Sequence, residues 1–112
     1  MGSRVPANVT LAEADDGRSV MLAKGGTLEV SLPAQLGTGF GWQPPKTSLL
    51  ALSKTTTERA SDGKPGGFEK QVFAFSAMRP GKETLIFEYR RPWEKDAPAA
   101  RRFTVELTIA AD

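Results

Sequence analysis

Two residue types that carry much of protein chemistry are missing: the 112-residue chain has no histidine and no cysteine. Without histidine there is no side chain that ordinarily titrates near neutrality, and the commonest metal ligand is gone. Without cysteine there is no thiolate nucleophile, no disulfide and no thiolate metal site, and redox usage says nothing about compartment. Catalysis would fall to carboxylates, lysines and hydroxyls, and no carboxylate stands in an apolar setting that would retune it. The sequence therefore reads as a non-enzyme, with no catalytic residue, no metal ligand and no cofactor.

The residues that stand out are suited to binding. In RRPWEK, residues 90–95, Trp93 follows a proline and sits between charges. Pro92 fixes φ and stiffens the turn. Arg91 can stack on an aromatic ring or pair with a carboxylate. Tryptophan and arginine are the types most enriched at binding hot spots. Two placements of Trp93 are open, an anchor exposed to a partner or a lid folded over the core, and the surrounding charges favour exposure. In QLGTGFGW, residues 35–42, Gly37, Gly39 and Gly41 alternate with Thr38 and Phe40. Glycine admits positive φ and close backbone approach. A phosphate loop is excluded, because GTGFGW is not GxGxxG and no helix follows to supply an anion-binding N-terminus. The stretch reads as a thin backbone probe or as a plain chain reversal. A third stretch, SDGKPGGFEKQ, places Gly63, Gly66 and Gly67 around Lys64 and Pro65. By itself it reads equally as an adaptable contact loop and as mobile surface.

The elements that position these residues are strands. TLEVSL sends Leu28, Val30 and Leu32 one way and Thr27, Glu29 and Ser31 the other. Phe73, Phe75 and Ala77 share a face, as do Leu85, Phe87 and Tyr89, and Phe103, Val105, Leu107 and Ile109. This is the period of half-buried antiparallel strands. VTLAEA at 9–14, SVMLA at 19–23 and FGWQ at 40–43 are weaker candidates, and TTT at 55–57 argues for extended chain over a helical turn at Leu49, Leu50 and Leu52. Trp42, on a strand expected at the centre of its sheet, is expected in the core. The fold class is all-β, an immunoglobulin-like sandwich of seven to eight antiparallel strands.

Antiparallel succession puts alternate connections at the same end. From TLEVSL onward, the connections at 33–39, 60–67 and 91–100 therefore share one pole, and RPGK at 79–82 turns at the other. In immunoglobulin lettering these are the B–C, D–E and F–G loops. They are the longest and richest in glycine or proline, and connections are where binding usually resides.

Bulk properties agree with a binding module. The length suits a single domain, residues 8–112, behind a tail at residues 1–7 that is disordered or left over from cloning. Localisation is periplasmic or secreted if a leader was removed and cytoplasmic otherwise. No apolar run approaches the roughly 18 residues of a membrane span. Net charge is +2, and Glu94 and Asp96 dilute the arginines at 90, 91, 101 and 102, which argues against nucleic acid. The mainly polar outer faces make a monomer the default.

The ordered set TGF, then W, a glycine-pair loop, YRRPWE and a final FTVEL strand resembles the chagasin family over roughly residues 18–110. Its members are immunoglobulin-like inhibitors of papain-like cysteine proteases. The resemblance implies a wedge of three loops that enters the protease cleft. Its protease-binding residues would be Gly37, Thr38, Gly39 and Phe40 in the first loop, Gly66 and Gly67 in the second, and Arg91, Pro92 and Trp93 in the third. The family's first loop usually reads Asn-Pro-Thr-Thr-Gly followed by Tyr or Phe. Here Gln35, Leu36 and Gly37 replace the first three, so the residue nearest the protease cysteine would be Gly37, which has no side chain. The alternative function is an immunoglobulin-like adhesion or glycan-binding module in which Trp93 stacks on a sugar.

Overall fold

Alternation becomes strands almost wherever the sequence shows it. The structure, a computed structural model, describes residues 5–59, 69–94 and 96–111. Eight strands follow in chain order: β1 Asn8–Ala12, β2 Ser19–Ala23, β3 Thr27–Ala34, β4 Gly41–Gln43, β5 Leu50–Arg59, β6 Glu69–Ala77, β7 Gly81–Arg90 and β8 Arg101–Ala110. They form two four-stranded sheets, ordered β1-β3-β6-β5 and β2-β8-β7-β4. The expected all-β sandwich is therefore the observed architecture.

Register brings the apolar rows together. On one sheet Leu28 faces Phe75 and Val30 faces Phe73; on the other Leu85 faces Val105 and Phe87 faces Phe103. All eight are buried between the sheets. Phe87 is the hub, with ring centroids 5.5 Å from Phe73, 6.0 Å from Phe75 and 5.8 Å from Phe103. Burying side chains of this size contributes about 1.5–3 kcal/mol each, which makes the Phe cluster the main anchor of one sheet on the other.

Three details depart from simple alternation. VTLAEA does not stay extended: β1 ends at Ala12, and Glu13–Asp15 turn as a 3₁₀ helix. The Asp15 carboxylate accepts a 2.9 Å bond from the Ala12 N–H, which favours the turn over continued strand. That turn carries the chain from one sheet to the other, so β1 pairs parallel to β3 and β2 parallel to β8. Pro33 is tolerated inside β3 because β1 stops pairing at Ser31, leaving β3 one-sided there.

The strand ends define two poles. At one, Ala34 and Arg59 both lie against Glu69, Gly41 lies against Arg90, and Tyr89 lies against Arg101. The connections 35–40 and 91–100 meet there, together with the strand ends that flank 60–68. Gly66 and Gly67 lie outside the described residues. The tight turn before β7 sits at the other pole, where Gly81 takes φ +150°. Both ends of the described chain also reach that far pole: Ala23 N–H donates to Pro6 O at 2.8 Å, and Lys24 N–H donates to Ala110 O at 3.2 Å.

Candidate functional site

Connection 35–40 is built from inside out. Trp42, 4 % exposed, is in the core as expected, but β4 is an edge strand of its sheet and not a central one. Its Nε1–H donates to Pro33 O at 2.8 Å, and its backbone N–H donates to Gln71 Oε1 at 2.7 Å. Tyr89 lies beside it, ring centroids 5.0 Å apart, and Phe40 stacks on the Tyr89 ring at 5.3 Å. Phe40 therefore belongs half to the core and half to the surface. Arg91 caps the stack, its guanidinium 4.3 Å from the centre of the Phe40 ring. Such contacts contribute about 0.5–1 kcal/mol at an exposed site, and here they join the two connections.

The tip of this connection is a compact turn. Leu36–Thr38 form one 3₁₀ turn. Thr38 donates twice to Gln35 O, from its N–H at 3.1 Å and from Oγ1 at 2.6 Å. Gln35 N–H donates to the Tyr89 hydroxyl at 2.9 Å, and Arg91 Nε–H donates to Thr38 O at 3.2 Å. Of the three alternating glycines only Gly39 needs to be glycine for its backbone, at φ +87°. Gly37 does not, and among the described residues nothing lies within 4 Å of where its Cβ would be. The stretch expected as a thin backbone probe or a plain chain reversal is a pinned turn.

Trp93 packs against this turn. A Cβ on Gly39 would fall 2.4 Å from Trp93 Cη2, so the indole occupies the space that the glycine leaves free. The side chain is nevertheless 67 % exposed, the most open large hydrophobic residue among those described. It is not a lid over the core. Its own loop is ordered by backbone bonds Glu94 N–H to Arg91 O at 3.0 Å and Ala100 N–H to Tyr89 O at 2.9 Å. Arg90 adds a bond from its guanidinium to Ala97 O at 3.2 Å. The Arg91–Glu94 ion pair is long, 3.8 Å, and both side chains are more than a third exposed, so it adds little.

Gly37, Thr38, Gly39, Phe40, Arg91, Pro92 and Trp93 are therefore brought to one pole, where Trp93 lies against Gly39 and Arg91 against Thr38 and Phe40. Sequence reading missed Tyr89, Gln35 and Arg90, which hold these residues in place. Tyr89 carried a usable signal: a tyrosine closing an inward row must seat its hydroxyl on a polar partner near the sheet end. Among the described residues no cluster of histidine, cysteine, aspartate or glutamate could hold a metal ion, and no helix is long and apolar enough to cross a membrane.

Known proteins share this fold. Amoebiasin-1 of Entamoeba histolytica is 27 % identical over 104 residues, covering 90 % of this chain and 99 % of its own. The crystal structure of the cysteine protease inhibitor EhICP2 from Entamoeba histolytica superposes with a TM-score of 0.83 at 23 % identity, covering 94 % of this chain and 99 % of that one. PbICP-C, in its complex with falcipain-2, shares the fold at TM-score 0.57 and 13 % identity, covering 98 % and 95 %. The model of the chagasin family peptidase inhibitor I42 matches residues 21–107, from within β2 to within β8, and so includes the connections 35–40 and 91–100. On that match the chain belongs to the chagasin family of peptidase inhibitors.

Proposed function

We propose that this chain reversibly inhibits papain-like cysteine proteases by seating the pole formed by residues 35–40 and 91–100 in the catalytic cleft. Gly37 forms the apex. Thr38, Gly39 and Phe40 carry the turn behind it, and Arg91, Pro92 and Trp93 press beside it. Gly66 and Gly67 contribute from the neighbouring connection. The observation that carries the reading is the placement of Trp93: a large, stiff, mostly exposed side chain leaning on Gly39, two residues from Gly37 in the same connection. Tryptophan buries much area on binding for little lost rotamer freedom. The apex brings backbone N–H and C=O groups to a narrow groove without bulk. The Entamoeba relative is a cysteine protease inhibitor, and PbICP-C was solved bound to falcipain-2, which supports a protease as the partner. No residue of this chain has to perform chemistry.

Titration of papain and a cathepsin panel against peptide hydrolysis tests the proposal. Saturable inhibition that reverses on dilution is expected, with weak salt dependence at a net charge of +2. No inhibition of any panel member at micromolar protein, with retention on immobilised glycans, would instead favour sugar binding through Trp93.

A further inference from the structure

We infer that Tyr89 and Arg91 are positioning residues that latch the 35–40 turn in a shape a bound protease cannot hydrolyse, which makes the chain an inhibitor and not a substrate. This rests on the proposed seating of the loop pole in a protease cleft. A peptide is cut when it lies extended across the catalytic groove. Cleavage in this turn would need the protease cysteine sulfur to attack a carbonyl carbon of residues 35–39. The C–N bond would then break, the amine would leave with a proton, and water would hydrolyse the thioester.

The turn is held against straightening at three points. Its interior is closed by the two bonds from Thr38 to Gln35 O. Its entrance is held by the Tyr89 hydroxyl, which accepts from Gln35 N–H at 2.9 Å. That ring cannot follow the loop outward: it is 8 % exposed, with Phe40 on one neighbouring position at 5.3 Å and Trp42 on another at 5.0 Å. Its exit is held by Arg91 Nε–H on Thr38 O, and Arg91 is itself braced on the Phe40 ring. Entrance and exit are thus tied to β7 and the residue after it, more than 50 positions along the chain. Opening the turn locally requires these bonds to break together, and hydrolysis of a transiently opened segment follows the open population. Loss of one net hydrogen bond raises that population by about tenfold.

Tyr89→Phe removes one hydroxyl and keeps the stacked ring. Wild type and variant are incubated with catalytic papain, and intact mass and residual inhibition are followed together. Wild type is expected to stay full length and inhibitory. The variant is expected to inhibit at first and then lose inhibition, as two fragments appear with new termini between residues 35 and 40, about tenfold faster than any wild-type cleavage. A merely structural role would lower the melting temperature and scatter the cuts. A variant that stays intact with steady inhibition overturns the latch and leaves the wedge reading standing. Wild type that inhibits nothing defeats the wedge reading, and the latch is then read without protease: amide exchange at Gln35 and Thr38 must quicken in the variant, and unchanged exchange overturns it. If Tyr89→Phe does not fold, Thr38→Val, which deletes the Oγ1 bond at nearly constant shape, is read by the position and rate of cleavage and by amide exchange at Gln35. It is not read by its initial inhibition, because Thr38 belongs to the proposed contact surface; unchanged cleavage and exchange overturn the latch.

Discussion

Gly39→Ala separates the fold of the loop pole from its working shape. The substitution does two things. It places a side chain at φ +87°, in the left-handed region, which costs about 1 kcal/mol or somewhat more. On a domain of this size that lowers the melting temperature by roughly 4 °C, leaving the protein folded at room temperature. It also puts a methyl 2.4 Å from Trp93 Cη2, so the indole must retreat about 1 Å to reach the 3.4 Å where ordinary contact begins. The ring is free to do so because it is mostly exposed, so the displacement costs little in stability and much in fit. If Trp93 is an anchor worth about 2 kcal/mol, inhibition should weaken by up to about 30-fold, measured as Ki from papain progress curves. Gly37→Ala is the control. Its Cβ meets nothing among the described residues and its φ is not left-handed, so its melting temperature should not move. A double-mutant cycle decides the mechanism. In a Trp93→Ala background the Gly39→Ala step should cost no further inhibition, because the group it displaces is already gone. Additive losses in the cycle, or wild-type Ki for Gly39→Ala alone, would refute the reasoning.

Trp93→Ala itself should weaken inhibition by about 2 kcal/mol while leaving thermal unfolding within a degree or two, since the side chain is mostly exposed. Trp42→Phe should do the opposite: it leaves Pro33 O without its donor and opens a small void, costing about 1–2 kcal/mol in denaturant unfolding. Asp15 is held below its usual 3.8, first by the Ala12 N–H and then by Arg18. A carboxylate with a depressed folded pKa stabilises above the unfolded value and loses that contribution as pH falls through the folded one. The stability gap between wild type and Asp15→Asn, measured by thermal melts across pH, should therefore be present at neutral pH and close as pH falls below 3.8; a gap that persists in acid would assign it to something other than ionisation.

The sandwich was legible because its strands keep the period of two at every buried row, and because glycine and proline mark each reversal. The two tryptophans were separable for the same reason. Trp42 lies in a short uncharged run, FGWQ, and ends in the core, whereas Trp93 follows a proline among charges and ends outside. Periodicity says which way a side chain faces and not what stands opposite. The stack of Arg91, Phe40, Tyr89 and Trp42 unites residues about 50 positions apart, and no local pattern announces it. The parallel pairing of the first two strands was hidden likewise, because it depends on a three-residue turn whose shape a single carboxylate sets. Gly37 and Gly39 looked alike in sequence; only the backbone angle and the indole beside one of them tell them apart.

Residues 6 and 110 both lie beside the junction of β2 and β3, a full sandwich length from Trp93. Cargo attached at either extremity, whether an affinity handle, a solid support or another folded unit, would trail behind the molecule and leave its leading edge clear. Immobilisation through residue 6 or residue 110 thus leaves the pole of residues 35–40 and 91–100 facing solution, while a graft into those connections would cover it.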